Sequence, residues 1–149
     1  MSKRYRFSSI DADYYQFHLH DAEAESTLAE AWTPEALARN VAVAPFIVGV
    51  GTKRNTSVWL DIEQHDIKPS WQVNRHWLHV VECSLDLPSG HLVVSSPTLE
   101  AESHKHIFLA PGCYRLRIHF GKQQNRGIHR YKVSLWQEKA SSIVLLKSA

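Results

Sequence analysis

The sequence predicts a mainly β fold, an antiparallel β-sandwich of seven to eight strands with one short helix, as a single domain over residues 1–149. The first observation is the stretch that follows Pro111-Gly112, a pair of residues typical of a turn. Apolar and polar side chains alternate strictly there, in the order Tyr114, Arg115, Leu116, Arg117, Ile118, His119 and Phe120. This period indicates a strand with one face on a core and the other in water.

The second observation is that similar short apolar segments recur along the chain with turn residues between them. Eight segments have this strand character: residues 14–20, 46–51, 57–62, 77–87, 91–95, 106–109, 113–120 and 130–136. Short connections join the last three, which predicts an antiparallel meander in which 106–109 and 113–120 form a hairpin. Many short strands with frequent turns are typical of a sandwich and not of βαβ units.

The third observation is that one segment alone has the signals of a helix. Thr33 suits the N-cap, Pro34 the first helical position and Glu35 the first turn. Asn40 suits the end, so the helix is expected to have about two turns. The polar stretch 63–75 that follows later in the chain is predicted to be a loop.

Length and composition favour an ordinary globular protein. A chain of 149 residues buries a core without disulfides or metal, and 44% hydrophobic with 21% charged residues is typical of this class. The two cysteines, Cys83 and Cys113, do not make a disulfide framework, and Cys83 shares strand parity with Val81 and Leu85. The N-terminus lacks the apolar run of a signal peptide, and no stretch approaches a membrane span. We expect a reduced, cytoplasmic protein with no cofactor.

Charge is distributed unevenly, although the formal net charge is only +2. Between Phe7 and Ala38 there is no lysine or arginine, but there are seven acids: Asp11, Asp13, Asp21, Glu23, Glu25, Glu30 and Glu35. From Lys105 onward nine basic residues are present against Glu138 alone. The molecule therefore has two charged poles, or the two segments lie side by side and cancel.

Patterns that would indicate catalysis or metal binding are incomplete. His18-x-His20 and His104-x-His106 are same-face pairs if they lie on strands, but no third ligand is marked for either. There is no Gly-x-Ser-x-Gly, no phosphate-binding glycine loop and no activated cysteine. We expect no catalytic residues, no metal site and no enzyme activity.

Two charged surfaces are candidates for binding. If the strands at 113–120 and 129–136 pair, Arg115, Arg117, Arg130 and Lys132 share a basic face that suits phosphates. Interleaved aromatic residues are scarce there, so a solvated outer face is favoured over direct nucleic-acid binding. The acidic N-terminal run imitates a phosphate backbone and suits the basic cleft of a nuclease, or else it is a solvated loop.

Four motifs occur in a characteristic order: Tyr14-Tyr15-Gln16-Phe17, Trp32-Thr33-Pro34-Glu35-Ala36, Arg54-Asn55-Thr56 and Leu109-Ala110-Pro111-Gly112-Cys113-Tyr114-Arg115-Leu116. With them the chain resembles the competence protein J family, also called the DNA-entry nuclease inhibitor, over about residues 14–120. The resemblance implies a non-catalytic protein that binds and silences a cognate nuclease, in DNA uptake or in immunity to a nuclease toxin. It also implies core roles for Phe17 and Tyr114 and a fixed turn at 54–56.

We take the acidic segment and the motif turn as the candidate partner-binding residues. They are Asp21, Glu23, Glu25, Glu30, Arg54 and Asn55. Two other functions stay open: a binding module for a small molecule or carbohydrate, with a pocket lined by Trp59, Trp71 or Trp77, and a nucleic-acid-binding protein that uses the basic face. A homo-oligomer is compatible with the sequence.

Overall fold

A computed structural model describes residues 2–52, 57–97, 105–123 and 129–148. The described residues form eleven strands and one α-helix, with a 3₁₀ turn at Asp13–Tyr15 before the second strand. The helix, α1, is Pro34–Arg39. The strands are β1 Ser2–Asp11, β2 Gln16–Asp21, β3 Val41–Ala44, β4 Ile47–Gly51, β5 Ser57–His65, β6 Trp77–Leu87, β7 His91–Ser95, β8 Lys105–Phe108, β9 Gly112–Gln123, β10 His129–Gln137 and β11 Val144–Lys147.

The strands form two sheets. The large sheet has the order β1-β5-β10-β9-β6-β11, and the small sheet has the order β3-β4-β2-β7-β8. The mainly β class is confirmed, but the strand number is not, since β1, β3 and β11 add to the eight expected strands. The expectation of purely antiparallel pairing is also wrong, because β10 lies parallel to β5 in the large sheet.

The predicted meander is wrong at its first strand. The segment 106–109 corresponds to β8, which pairs with β7 at the edge of the small sheet, with Leu92 opposite Ile107. It therefore does not form a hairpin with β9. The pairing of β9 with β10 is antiparallel as expected, with Ile118 opposite Val133. The connection after β8 crosses from one sheet to the other, which allows both sheets to contribute to one core.

The core lies between the two sheets, and aromatic residues join them. The Phe17 ring on β2 packs edge-on against Tyr131 on β10, with centroids 5.7 Å apart. Tyr114 is buried, and its hydroxyl donates to the Ala110 carbonyl at 2.6 Å. The core roles expected for Phe17 and Tyr114 are confirmed.

Cys83 belongs to the same core, where burial raises the pKa of its thiol to about 12. Both Cys83 and Cys113 are free thiols.

Helix α1 begins and ends as its sequence predicts. The Thr33 side chain accepts a hydrogen bond from the Ala36 amide at 3.2 Å, and Asn40 ends the helix in the left-handed region with φ 61°. Six residues are too few to span a bilayer, and no helix in the described part of the chain is long and apolar enough to do so.

The second face of β9 is not in water, although the alternation of apolar and polar residues predicted that it would be. Arg115, Arg117 and His119 are each exposed by 4% or less. Two irregular segments cover them, since Arg117 donates to the Pro69 and Ser70 carbonyls and Arg115 to those of Ser141 and Ser142. The large sheet is therefore buried on both faces along β9.

Candidate functional site

The acidic loop, residues 22–32, connects β2 to α1 and is anchored by Asp21. Asp21 Oδ1 accepts hydrogen bonds from the amides of Glu23 and Ala24, at 2.8 and 3.0 Å. Its Oδ2 accepts from the amide and hydroxyl of Ser89 in the turn between β6 and β7, at 2.9 and 2.8 Å. Asp21 is only 1% exposed, so its carboxylate binds groups of its own chain and does not face a partner.

Electrostatics agree with this internal role for Asp21. Burial alone would raise the pKa of the carboxyl group, but the hydrogen bonds from Ser89, Glu23 and Ala24 outweigh it and hold the pKa below its usual value. The charged carboxylate is thus the form that orders the start of the acidic loop.

The rest of the acidic loop packs on the outer face of the small sheet. Leu28 is buried in a cluster with Ala36, Ala42 and Ile47, and Trp32 packs against the same cluster. Further hydrogen bonds within the loop join the Ala29 amide to the Thr27 hydroxyl and the Ala31 amide to the Leu28 carbonyl. These contacts hold the loop in one arrangement while Glu23, Glu25 and Glu30 point to solvent.

The predicted partner-binding residues therefore fall into three groups: exposed, buried and outside the described residues. Glu23, Glu25 and Glu30 are each exposed on the acidic loop, whereas Asp21 is buried at its start. Arg54 and Asn55 fall outside the described residues.

A cleft of about 590 Å³ lies between the acidic loop and the small sheet. It is lined by Gln16, His18, His20, Ser26, Thr27, Leu28, Ala29, Trp32, Ile47, Ser95, Ser96 and Pro97. Sequence reasoning missed this cleft. The available signal was the alternation of Gln16, His18 and His20, which places three polar side chains on the outer face of β2.

Gln16 organises one end of the cleft. Its Oε1 accepts hydrogen bonds from the Trp32 indole N–H at 3.1 Å and from His18 Nε2 at 2.7 Å. Burial, together with the nearby His20, lowers the pKa of His18 to about 4, so the ring is neutral at pH 7. Because Nε2 carries the proton, Nδ1 of His18 is left as an acceptor.

His20 and two serines form the other end of the cleft. His20 Nδ1 donates to the Asp21 carbonyl at 3.1 Å, and its Nε2 forms a hydrogen bond with the Ser95 hydroxyl at 3.2 Å. Ser96 is 5% exposed, and its hydroxyl has no hydrogen-bond partner among the described residues. A buried hydroxyl without a partner is costly, which makes Ser96 the unusual feature of this wall.

The candidate basic face on β9 and β10 does not form, and the solvated outer face favoured in its place is also wrong for Arg115 and Arg117, which are buried. The side chains of Arg115 and Arg117 are buried beside Glu82, with Arg117 Nε 2.8 Å and Arg115 Nε 3.6 Å from its carboxylate oxygens. Lys132 lies 3.6 Å from Glu63, and only Arg130 is exposed. The reason is that the covering segments place the arginines inside the protein, where no phosphate backbone can reach them.

A smaller cleft of about 280 Å³ does include two of the predicted tryptophans, Trp71 and Trp77, beside His119. His119 Nδ1 donates to the Lys132 carbonyl at 3.1 Å, and burial together with the Lys132 charge lowers the pKa of His119 to about 4. Trp59 lies elsewhere, with its indole N–H bonded to Asp61 and the Arg130 guanidinium 4.9 Å from its ring.

The histidine pairs do not form a metal site among the described residues. In the described part of the chain, no three His, Cys, Asp or Glu side chains come together as a ligand set. His18 and His20 instead make hydrogen bonds in the cleft of about 590 Å³. A hydrogen bond of 2.8 Å joins the rings of His106 and His91, and His104 lies outside the described residues.

The architecture defines a class of two-sheet β protein with a mixed six-stranded sheet, a five-stranded sheet and one short helix. No protein-family model matches the sequence, and no curated protein matches it at the level of sequence. Comparison of the fold, in contrast, gives two solved structures.

The chain is similar in fold to ComJ from Bacillus subtilis, an inhibitor of the DNA-degrading activity of NucA, with a TM-score of 0.76. Sequence identity is 16%, over 93% of this chain and 99% of that chain. It is also similar to the protein of crocagin biosynthetic gene J, with a TM-score of 0.66 and 15% identity over 93% of this chain and 99% of that one. The resemblance seen in the sequence motifs is thus confirmed as a likeness of fold.

Proposed function

We propose that this chain is a non-catalytic inhibitor that binds and silences a DNA-cleaving nuclease, in DNA uptake or in immunity to a nuclease toxin. The observation that carries the proposal is the fold shared with ComJ over 93% of the chain, in combination with an acidic loop held in place by Asp21. We expect the encounter to take place in the cytoplasm.

The charge of the acidic loop suits such a partner. A nuclease needs a basic cleft to hold the phosphates of DNA, and an acidic surface is attracted to the same cleft. Glu23, Glu25 and Glu30 are exposed, and the sequence contains no lysine or arginine between residues 8 and 38. The exposed carboxylates thus have no cation nearby in sequence to neutralise them.

Order in the free protein supports inhibition by surface complementarity. Binding costs free energy when a flexible loop must be fixed, and a loop that is already fixed avoids this cost. The Asp21 hydrogen bonds and the packing of Leu28 provide that order before any partner arrives.

The test begins with affinity purification of the chain from its native cell and identification of a nuclease that elutes with it. The purified nuclease is then assayed for DNA cleavage against increasing concentrations of the chain. We expect cleavage to stop near a stoichiometric ratio. Full cleavage at a large excess of the chain would contradict the proposal.

Charge reversal then locates the surface. Glu23→Lys, Glu25→Lys and Glu30→Lys are each expected to weaken binding by about 2- to 10-fold, mainly through slower association. Asp86→Lys is the matched control, since it changes the net charge equally at an exposed position on β6. Equal effects of all four substitutions would show that only net charge matters.

A further inference from the structure

We infer that the 590 Å³ cleft beside the acidic loop is the anchor site for the nuclease, and that it takes one uncharged aromatic side chain with a polar tip, a tyrosine or a tryptophan. This inference rests on the proposed function and assigns its central contact. The acidic loop provides attraction, and the cleft provides the buried contact.

The cleft and the exposed carboxylates belong to one surface. Ser26, Thr27, Leu28 and Ala29 line the cleft, and they are the loop residues between Glu25 and Glu30. A partner drawn to the glutamates therefore meets the mouth of the cleft. Buried pockets surrounded by a polar rim are where most of the binding energy of an interface is concentrated.

The walls of the cleft select an uncharged group. Among the residues that the structure describes, those that line the cleft include no Asp, Glu, Lys or Arg. A charged side chain placed there would lose its hydration without gaining an opposite charge, which is unfavourable. Trp32, Leu28 and Ile47 instead offer apolar surface that suits an aromatic ring.

The polar end of the cleft selects a hydrogen-bonding tip. The Ser96 hydroxyl is buried and unpartnered among the described residues, and it lines the cleft beside Ser95. The Ser96 Oγ has almost no accessible surface as placed, so binding requires the side chain to turn towards the cleft, where a tyrosine hydroxyl or an indole N–H would then satisfy it. These two aromatic side chains are also among those most often found at the centre of protein interfaces.

Ser96→Ala gives the most direct test, because a structural role and a binding role predict opposite results. Removing a buried hydroxyl that lacks a partner should leave the melting temperature unchanged or raise it. Binding of the nuclease identified above should nevertheless weaken by about 5- to 20-fold, the loss of one buried hydrogen bond. The matched control is Ser57→Ala, an exposed serine at the start of β5.

Filling the cleft gives a second test that does not depend on one hydrogen bond. Ala29 lines the cleft and is exposed, so Ala29→Trp is expected to fold and to weaken nuclease binding by more than about 10-fold. Ala22→Trp places the same side chain in the same loop but outside the cleft, and it should change binding by less than about 3-fold.

The outcomes separate this inference from the proposed function. If the wild-type chain binds no nuclease, both fail. If the wild-type chain binds and Ser96→Ala and Ala29→Trp bind equally well, the anchor site is refuted while the inhibitor function stands. Native mass spectrometry that shows a small molecule retained by the wild-type chain and lost in Ala29→Trp would likewise overturn the anchor site, in favour of a ligand-binding cleft.

Discussion

Arg117 donates from Nε to Oε2 of Glu82 at 2.8 Å, with the two side chains only 3% and 7% exposed. The guanidinium also donates to the Pro69 carbonyl at 3.1 Å, and it lies 5.8 Å from the Trp71 ring. One arginine on β9 thus neutralises a buried carboxylate and holds the segment between β5 and β6 against the sheet.

Loss of the Glu82 charge is expected to be strongly destabilising. Glu82→Gln would leave Arg115 and Arg117 buried without a counter-charge, and breaking a buried pair in this way costs about 3–5 kcal/mol. Urea denaturation measures the free energy of unfolding. Arg4→Gln is the control, since Arg4 is 53% exposed in its pair with Glu63 and should cost less than about 1 kcal/mol. Equal losses in both variants would contradict a special role for Glu82.

The Asp21 carboxylate is expected to control the order of the acidic loop. An amide in Asp21→Asn still accepts two hydrogen bonds, but its NH₂ group faces the Ser89 amide and hydroxyl donors. We expect a loss of about 2–3 kcal/mol in unfolding free energy. Repulsion between this NH₂ group and the Ser89 donors should displace the side chain from the loop, so hydrogen exchange should become faster at the amides of Glu23 and Ala24.

Ser89→Ala provides the comparison for Asp21→Asn. It removes one donor and leaves the two amide bonds to the loop intact, so a loss of about 1 kcal/mol with unchanged exchange at Glu23 is expected. If both variants change exchange in the loop equally, the loop is held by its packing and not by Asp21.

The strand pattern was predictable because alternation is a local property of the chain. All eight expected strands are present, and Thr33 and Asn40 mark the ends of α1 as expected. The N-terminal strand β1 also has a local signal, since Tyr5 and Phe7 alternate with the charged residues Arg4 and Arg6. The short strand β11, with three consecutive apolar residues, lacks any alternation.

The position of each strand could not be predicted, since it depends on tertiary packing. The same alternation allows β8 to pair with β9 or with β7, and the structure selects β7. Alternation also placed Arg115 and Arg117 on a second face, but nothing local shows that distant segments cover that face. The cleft could not be predicted for the same reason, because Trp32 and Ser96 line it from separate parts of the chain.

Gly49 on β4 is expected to control the shape of the cleft. A Cβ at this position would lie 2.6 Å from Leu28 Cδ1 and 3.0 Å from Trp32 Cζ2, so both side chains must move in Gly49→Ala. Since these are side-chain ends, a stability loss of only about 1 kcal/mol is expected. The indole N–H resonance of Trp32, which is bonded to Gln16, should shift in NMR spectra, and nuclease binding should weaken.

Gly51→Ala on the same strand is the matched control. Its added Cβ would lie 3.4 Å or more from the atoms of Asn40, an ordinary contact, so the Trp32 resonance should stay in place. A shift of equal size in both variants would mean that the close contact at Gly49 does not set the position of Trp32.

Acidification is expected to destabilise the protein through His18 and His119. The pKa of each is lowered to about 4, so between about pH 6.5 and pH 4 the unfolded chain binds more protons than the folded one. The stability that these rings contribute is complete above pH 6.5 and is lost as the pH falls towards 4, by at most about 3 kcal/mol for each and less where solvent screens the ring. Urea denaturation at pH 7, 6, 5 and 4.5 measures the loss.

A double variant, His18→Gln with His119→Asn, is the control. Each substitution keeps a donor near the position of the ring N–H and removes the titration. The double variant should therefore lose distinctly less stability than the wild-type chain between pH 7 and pH 4.5. An unchanged pH dependence would assign the effect to other groups.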